Sequence, residues 1–396
     1  MKRLGLACLA LLAAGCASMP SGNVGGSGKW VGAWGGSPAP SGPTSRSYEN
    51  QTIRQALRIS ASGSHVRVRF TNEYGDKPLK IGAATISMAG PDGAPVGAPV
   101  TLAFGGQAGT SIPKAAAMLS DSVALPVKAL DQLSISIFVP EATGPCTCHV
   151  LATQNVEVSG PGDFTRGGFV KKDTVTQRPF ISAVEVAPAT PTRAIVAFGD
   201  SITDGYQSTM GANRRWPDVL AERLRKAGMD RSVVNEAISG NRVLNYGQAM
   251  FGDAAVARFD RDVLSVPGAD WLVMLEGIND IGQGGDQRPS AEVMIAGYQQ
   301  IIERAHAHGL KVYLATMLPF EGARYYAEPG EVIRQKVNGW IRLGRGFEGV
   351  IDLDAAMRDP ANPKKMKAEL QSGDWLHPND AGYKVMGEAI DLKLFR

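Results

Sequence analysis

The sequence carries almost no excess of charge of either sign. Its 41 lysines and arginines stand against 38 aspartates and glutamates, which leaves a formal net charge of +3. A protein that binds nucleic acid normally displays a basic patch or stripe, and so balanced a chain gives no such footprint. Nucleic acid is therefore excluded as an expected partner. A hydrophobic content of 44% also excludes an intrinsically disordered chain.

Long hydrophobic runs are missing as well. The apolar run at residues 4–14 follows Lys2 and Arg3, and it is too short for a bilayer, which requires about 18–20 residues. A short apolar run behind basic residues is typical of a secretory signal peptide. Residues 1–28 are therefore predicted to be a signal peptide followed by a flexible tether rich in glycine and serine.

The end of this signal contains a cysteine. Residues 12–16, Leu-Ala-Ala-Gly-Cys, resemble a bacterial lipobox, in which Cys16 is acylated and becomes the new N-terminus. Ordinary cleavage near Ala17 is the alternative. In either case the mature protein is expected to be extracytoplasmic, as a periplasmic protein, an outer-membrane lipoprotein or a secreted protein. Membrane attachment would then depend on a lipidated Cys16.

Cysteine and histidine are scarce, with four and five residues respectively. Once Cys8 and Cys16 are assigned to the signal, Cys146 and Cys148 remain, directly before His149. A zinc site normally needs four ligands, so this short cluster disfavours a metal. A local disulfide in an oxidising compartment is the favoured interpretation, and two buried thiols are the alternative. No cofactor is expected.

The length of 396 residues exceeds one typical domain core and favours two domains. Between residues 29 and 190 the hydrophobic pattern has a period of two, as in the stretch from His65 to Phe70 and again from Leu133 to Val139. Turn clusters such as Gly90-Pro91-Asp92-Gly93 separate the runs. Short alternating strands with such turns predict an antiparallel, β-sandwich-like domain.

From residue 191 to 396 the pattern changes to short apolar runs that alternate with helical periodicity. This order predicts an α/β domain with a mostly parallel sheet and helices on both faces. The predicted strands are Ala194 to Phe198, Ser232 to Asn235, Trp271 to Leu275, Lys311 to Ala315 and Val350 to Leu353. The predicted helices are Pro217 to Lys226, Ala254 to Val263, Ala291 to Ala307 and Glu331 to Leu343.

Four polar blocks follow these strands, where the carboxyl ends of parallel strands meet and ligands bind. They are Gly199-Asp200-Ser201-Ile202, Ser239-Gly240-Asn241, Gly277-Ile278-Asn279-Asp280 and Asp374-Trp375-Leu376-His377. Each block is common in loops when taken alone. Their joint occurrence, each behind its own strand, predicts an acyl-transfer site.

The chemistry of acyl transfer explains these residue types. A serine hydroxyl such as that of Ser201 needs a base, for which His377 is the candidate, and a group that orients the base, for which Asp374 is the candidate. The developing oxyanion needs preorganised donors, which the backbone N–H groups of Ser201 and Gly240 and the side-chain amide of Asn279 could supply. The other histidines are weaker candidates for the base, because His306 and His308 lie near a predicted helix end and His65 lies on a predicted strand.

These four blocks resemble the SGNH hydrolases, also called GDSL esterases and lipases. The resemblance covers Phe198 to His377 and implies a flavodoxin-like, three-layer α/β/α fold. It also implies a Ser201, His377 and Asp374 triad with Gly240 and Asn279 as oxyanion donors. In the first block this chain has Gly-Asp-Ser-Ile where the family pattern is Gly-Asp-Ser-Leu, and this difference is conservative. The β-rich half resembles secreted bacterial members of this family that carry such a domain before the hydrolase.

The expected function is that of a serine esterase acting on small acyl esters, such as acetyl groups on a carbohydrate. A lipase or lysophospholipase of the same family is the alternative, and a non-catalytic surface-binding protein or a metal-dependent phosphoesterase are further ones. Four aromatic residues could form a sugar platform, although residues of this type are more often part of the core. They are Trp34, Trp216, Tyr246 and Trp375.

Overall fold

The computed structural model describes residues 30–42 and 46–396. The predicted signal peptide, its lipobox and the tether lie outside the described residues. Strands make up the first half of the fold. They are β1 (Val31–Gly35), β2 (Ala39–Pro40), β3 (Gln51–Arg58), β4 (Gly63–Thr71), β5 (Leu79–Ile81), β6 (Ala83–Ala89), β7 (Pro95–Thr101), β8 (Thr110–Ile112), β9 (Ala117–Leu119), β10 (Val123–Val127), β11 (Gln132–Val139), β12 (Thr147–His149), β13 (Val156–Pro161), β14 (Lys171–Val175), β15 (Arg178–Pro179) and β16 (Ile181–Ala187).

Two large antiparallel sheets dominate this half. One has the order β1-β16-β4-β10 with β9 beside β4, and the other has the order β14-β13-β3-β11-β6-β7. The apolar faces of both sheets contribute to one core, in which Val66, Val68 and Phe70 of β4 are buried together with Ile135 and Ile137 of β11. The alternating pattern of the sequence therefore predicted the inward faces correctly. Small sheets of β15-β12-β2 and β5-β8 complete the domain.

The second half alternates strands and helices. Its strands are β17 (Arg193–Gly199), β18 (Arg231–Asn235), β19 (Ala269–Leu275), β20 (Lys311–Ala315) and β21 (Gly349–Ile351). Its helices are α1 (Ser201–Asp204), α2 (Trp216–Lys226), α3 (Ala255–Phe259), α4 (Ile278–Gly282), α5 (Ala291–Ala307), α6 (Glu328–Arg342), α7 (Leu353–Met357) and α8 (Asp380–Ala389). Single turns of 3₁₀-helix lie at Ala249–Phe251, Gly285–Gln287, Ala368–Leu370 and Leu392–Phe395.

The five strands of this half form a parallel sheet with the order β18-β17-β19-β20-β21. Relative to the chain this order is 2-1-3-4-5, that of flavodoxin-like folds. Helix α2 packs against α8, and α5 packs against α3 and α6. The predicted three-layer α/β/α fold is thereby confirmed. In the described part of the chain, no helix combines the length and the apolar character needed to span a membrane.

The predicted helix over residues 254–263 is wrong in its second half. Helix α3 stops at Phe259 and continues as a π-helical turn, Asp260–Leu264. Within that turn Asp262 binds both Arg258 and its neighbour Arg261, with side-chain distances of 3.0 and 2.5 Å. Adjacent residues do not face each other on an α-helix, so a carboxylate shared by both arginines favours the wider turn.

Two other boundaries differ from the prediction. Helix α6 begins at Glu328, three residues before the predicted start at Glu331, because Pro329 is readily accommodated in the first turn. Strand β21 ends at Ile351 and does not reach Leu353. The side chain of Asp352 caps α7 by accepting a hydrogen bond from the N–H of Ala355 at 3.1 Å, which ends the extended backbone there.

The two halves pack directly on each other. Strand β1 pairs with β16 and also contacts β18 of the parallel sheet. Ala194 and Val234 belong to the core of the β-rich half. At the same contact, the hydroxyl of Ser60 accepts a hydrogen bond from the N–H of Val233 at 3.0 Å. The strands up to β16 pair antiparallel, and those from β17 onwards pair parallel. The domain boundary at residue 190 remains a prediction.

Candidate active site

The first polar block forms a tightly capped turn after β17. The carboxylate of Asp200 accepts a hydrogen bond from the N–H of Ile202 at 2.9 Å and thereby starts α1. Gly205 ends the helix with a φ of 97° and donates its N–H to the carbonyl of Ser201 at 2.9 Å. This local sequence fixes Ser201 as the first residue of α1, at the carboxyl edge of the sheet.

The last polar block is a turn organised by one carboxylate. Asp374 Oδ1 accepts hydrogen bonds from the N–H groups of Leu376 and His377, at 2.9 and 2.8 Å. Its Oδ2 atom lies 2.6 Å from Nδ1 of His377. Trp375, between them, adopts a φ of 59°. The turn therefore holds the imidazole of His377 against the carboxylate from within the same four residues.

These two blocks meet across 176 positions of sequence. Ser201 Oγ lies 2.8 Å from Nε2 of His377, and both side chains are largely buried. Since a carboxylate only accepts hydrogen bonds, Nδ1 of His377 carries the hydrogen and Nε2 presents a lone pair to the hydroxyl. The predicted Ser201, His377 and Asp374 thus lie in one hydrogen-bonded line.

The pKa of Asp374 is consistent with its place in this line of hydrogen bonds. Partial burial by itself would raise the pKa of Asp374, but hydrogen bonds from the ring and the backbone N–H of His377 outweigh that effect and hold the pKa well below its usual range. Asp374 therefore remains ionised at neutral pH and favours the tautomer described above. The edge of the Tyr206 ring packs against His377, with 4.6 Å between ring centroids.

Of the three predicted oxyanion donors, Asn279 is bonded to the residue that directly follows Gly240. The Nδ2 group of Asn279 donates to the carbonyl of Asn241 at 3.0 Å, and its Oδ1 atom accepts from Gln283 at 2.7 Å and from Tyr325 at 3.3 Å. These contacts fix the amide and use one of its two N–H donors. The N–H of Gly240 meets no hydrogen-bond acceptor within residues 30–42 and 46–396.

Two features of the structure require glycine at position 240. Gly240 has a φ of 81°, and a Cβ there would lie 2.3 Å from Cδ1 of Phe251. The backbone conformation and the Phe251 ring therefore both exclude a side chain at this position.

A buried arginine joins the strand ends beneath the site. Arg258 donates to the carbonyls of Gly199 and Glu236 at 3.0 and 2.7 Å, and to Oδ1 of Asn241 at 2.8 Å. It lies 3.6 Å from Glu276. Arg258 thereby ties the first polar block to the second. The sequence offered no signal for this role, since Arg258 lies in a predicted helix.

The first and third polar blocks each contain a buried carboxyl group. Burial raises the pKa of Asp200 to about 7 and the pKa of Asp280 to about 6, in each case against backbone N–H donors that favour the charged form. Asp280 accepts from the N–H groups of Val243 and Leu244, at 2.8 and 3.1 Å. The third block thus also positions the segment that follows Gly240.

The aromatic candidates divide into two groups. Trp34 and Trp216 are buried, as expected for core residues. Tyr246 is 65% exposed, and Trp375 is partly buried with the ammonium group of Lys365 3.9 Å above its ring. The expectation of core positions is therefore wrong for Tyr246 and Trp375, both of which lie in loops beside the polar blocks.

The β-rich half brings a further histidine to the sheet edge. Cys146 and Cys148 form a disulfide, as predicted, and the adjacent His149 is buried against Asp204 at the end of α1, with Nε2 and Oδ1 2.9 Å apart. From the sequence, the only role considered for His149 was that of a metal ligand, which was disfavoured. The 55 positions between His149 and Asp204 left no local pattern that could have revealed the pair.

Comparison with known proteins agrees with this geometry. Residues 197–385 match the family model described as the GDSL-like lipase/acylhydrolase family. No curated protein matches the chain. Among solved structures, about half of the chain is similar to a GDSL-like lipase from Bacteroides thetaiotaomicron, with 19% identity, coverage of 51% of this chain and 88% of that one, and a TM-score of 0.39.

Two further solved structures are similar over the same share of the chain. The acetyl xylan esterase AlAXEase has 23% identity, with 50% of this chain and 96% of that one covered and a TM-score of 0.39. A variant of an acetyl xylan esterase from Geobacillus stearothermophilus has 21% identity, with coverage of 50% and 92% and a TM-score of 0.39. The family match and the arrangement of the four blocks agree, so the C-terminal half of this chain is a carboxylic ester hydrolase domain of the GDSL-like lipase/acylhydrolase family.

Proposed function

We propose that this protein hydrolyses small acyl esters through a covalent acyl-enzyme on Ser201. The observation that carries the proposal is the line of contacts from Ser201 Oγ to His377 Nε2, at 2.8 Å, and from His377 Nδ1 to Asp374 Oδ2, at 2.6 Å. A hydroxyl, a neutral imidazole with its lone pair towards that hydroxyl, and an ionised carboxylate behind it are the parts that nucleophilic catalysis requires.

The reaction proceeds in two balanced steps. Ser201 Oγ attacks the carbonyl carbon of the ester while its proton passes to Nε2 of His377. Collapse of the tetrahedral adduct breaks the bond to the alcohol oxygen, which takes that proton and leaves as the alcohol. Water then attacks the acyl carbon and gives a proton to Nε2, and the second collapse returns the proton to Ser201 Oγ and releases the carboxylic acid.

The oxyanion of each adduct requires donors, which in this proposal are the N–H groups of Ser201 and Gly240 and the free N–H of Asn279 Nδ2. Loss of one such donor typically lowers kcat by about 10² to 10³. Asn279→Ala is therefore expected to lower kcat by about that factor. The variant Ser64→Ala, an exposed serine of the β-rich half, serves as a control that should retain full activity.

Aromatic side chains beside the oxyanion donors favour a small acyl group. A Cβ on Gly240 would meet the Phe251 ring, and a Cβ on Gly282 would lie 2.2 Å from the Tyr325 ring. Both rings therefore narrow the space next to Gly240 and Asn279. The large exposed apolar side chains of the described residues come from separate segments of both halves, with Tyr246 beside the polar blocks. This scattered distribution favours a polar substrate such as an acetylated carbohydrate over a lipid.

The test is hydrolysis of p-nitrophenyl esters from acetate to palmitate, with acetylated xylan alongside, by the mature protein and its Ser201→Ala variant. We expect a preference for acetate, release of acetate from the polymer, and loss of both activities in the variant. A preference for long chains would instead indicate the lipase alternative. Wild-type activity in Ser201→Ala would exclude the serine mechanism.

We further propose that the protein is extracytoplasmic, either lipid-anchored through Cys16 or released. The Cys146–Cys148 disulfide supports an oxidising compartment. Metabolic labelling with a palmitate analogue distinguishes the two forms, because labelling that disappears in Cys16→Ser indicates the anchor. A mature protein that is found only in the cytoplasm would contradict both.

A further inference from the structure

We propose that His149, from the β-rich half, is a positioning residue for the oxyanion donors of the hydrolase site. In this proposal His149 holds the carboxylate of Asp204, and Asp204 in turn holds the turn that presents the N–H of Gly240. The inference rests on the proposed function of Ser201 and Gly240.

The imidazole of His149 is surrounded by hydrogen-bond acceptors. Its Nδ1 atom lies 3.0 Å from the carbonyl of Ser37. Its Nε2 atom lies 2.9 Å from Oδ1 of Asp204 and 3.1 Å from the carbonyl of Leu151. Carbonyl and carboxylate oxygens cannot donate, so both ring nitrogens must carry hydrogen. The geometry describes an imidazolium cation, buried with 7% of its surface exposed.

The charges around the ring are consistent with this cation. Burial by itself would lower the pKa of His149, and the positive charge of Arg178 acts in the same direction. The carboxylate of Asp204 and the hydrogen bonds to Asp204 and Ser37 outweigh both and raise the pKa above its ordinary value. His149 and Asp204 therefore form a buried ion pair across the two halves.

The same carboxylate reaches the second polar block. Oδ2 of Asp204 accepts a hydrogen bond from the N–H of Ser239 at 3.0 Å and from its hydroxyl at 2.6 Å. Ser239 directly precedes Gly240. Asp204 is also the last residue of α1, which begins with Ser201. One buried carboxylate thus connects the β-rich half, the nucleophile helix and the turn with the oxyanion donor.

Removal of His149 takes away the cation that hydrogen-bonds to the buried carboxylate of Asp204. A buried carboxylate that loses such a partner moves towards other donors, and this movement alters its hydrogen bonds to Ser239. Oxyanion donors act by preorganisation, and a misplacement of about 1 Å in an active site costs up to about 10² in rate. The effect should fall on kcat, because the donors act on the transition state rather than on bound substrate.

The experiment compares His149→Asn with His149→Gln in the full mature chain. The amide nitrogen of glutamine lies near the position of Nε2 and retains a donor for Asp204, whereas that of asparagine lies near Nδ1 and faces Ser37. We expect His149→Asn to lower kcat for p-nitrophenyl acetate by about 10- to 100-fold with KM within about threefold. His149→Gln should recover at least part of this loss. His65→Asn is the matched control, since within the described residues the ring of this histidine bonds only to the hydroxyl of Ser64.

Several outcomes decide the proposal. A folded His149→Asn with wild-type kcat, a change confined to KM, or equal losses in the asparagine and glutamine variants would overturn it. If His149→Asn does not fold, Ser239→Ala provides the second test, because it removes the hydroxyl bond to Asp204 alone and is expected to lower kcat with KM unchanged. Full kcat in Ser239→Ala would then overturn it.

Ser201→Ala separates this inference from the proposed function. If Ser201→Ala retains activity, the serine mechanism itself fails. If Ser201→Ala is inactive while His149→Asn retains full kcat, the positioning role alone fails.

Discussion

The His377–Asp374 pair and the His149–Asp204 pair bring the same two side chains to similar distances, 2.6 and 2.9 Å. They differ at the second ring nitrogen. In His377 that nitrogen faces a hydroxyl, that of Ser201, which can donate. In His149 it faces a carbonyl, that of Ser37, which cannot. The first histidine therefore retains a lone pair and suits a base, whereas the second carries two N–H donors and suits a fixed cation.

The pairs also differ in how the chain brings them together. Asp374 and His377 belong to one turn, and their geometry follows from backbone hydrogen bonds within four residues. His149 and Asp204 come from different halves of the molecule and meet because those halves pack together. A histidine beside an aspartate is therefore not in itself a catalytic pair, since the atom bonded to the other ring nitrogen decides its chemistry.

The sharpest test applies one substitution to both histidines. His377→Gln removes the proposed base, and kcat is expected to fall by about 10⁴ or more. His149→Gln keeps the donor for Asp204 and should stay within about tenfold of wild type. Steady-state hydrolysis of p-nitrophenyl acetate measures both. Similar losses of kcat in the two variants would contradict the different roles assigned to His377 and His149.

Substitution of the two aspartates should likewise lower kcat by different factors. Asp374→Asn places an amide N–H donor, in place of the Oδ2 acceptor, opposite Nδ1 of His377 and so favours the wrong tautomer, and kcat is expected to fall by about 10⁴. Asp204→Asn weakens the contacts with His149 and Ser239 but leaves the contacts of His377 with Ser201 and Asp374 in place, so a loss of about 10- to 100-fold is expected. Active-site labelling with a fluorophosphonate should be slowed in the same order. A larger loss in Asp204→Asn would reverse the assignment of roles.

Stability should rank the pairs in the opposite order. His149→Asn breaks a buried ion pair, which costs about 3–5 kcal/mol in the free energy of unfolding. The side chain of Asp374 is 39% exposed, so His377→Asn should cost less than about 1 kcal/mol. Urea denaturation followed by circular dichroism gives both values. Equal costs would indicate that the His149 pair is not a buried ion pair.

The smallest expected effect is a difference in pH dependence. The pKa of His149 is raised, so its contribution to stability is complete below its ordinary pKa of 6.5 and is lost as the pH rises through the folded-state value. The pKa of Asp374 is lowered, so its contribution is present above 3.8 and is lost as the pH falls.

Unfolding free energies of wild type and His149→Gln, measured between pH 6 and pH 10, test this difference. The stability gap between the two proteins should narrow as the pH rises. Because both contain the other buried carboxyl groups, the contributions of Asp200 and Asp280 cancel in the comparison. A gap that widens with pH would contradict the assignment of His149 as a cation.

The sequence allowed most of the parallel-sheet domain to be predicted. In β20 the four residues after Lys311 form a buried, mostly apolar run, and α5 begins and ends where Ser290 and the apolar spacing indicate. The π-helical turn after Phe259 was missed because shared binding of Asp262 by two arginines depends on tertiary contacts. Local periodicity does not contain that information.

The same distinction between local sequence and tertiary contacts applies to the candidate site. Ser201, Asp374 and His377 were predictable because each follows a recognisable strand or turn. The roles of Arg258 and His149 were not, because the partners of Arg258 come from the ends of several strands and those of His149 lie 55 and 112 positions away. Buried polar side chains that join distant segments leave no periodic trace in a sequence.

Ser37 has a consequence for how this protein can be divided. Its carbonyl accepts from His149, and its hydroxyl donates to Oε2 of Glu236, at the end of β18, at 2.7 Å. We therefore expect residues 191–396 not to work as a transferable module, although they contain every proposed catalytic group. Any chimera or shortened enzyme must retain the segment around Ser37 and the loop around His149, or supply equivalents for both.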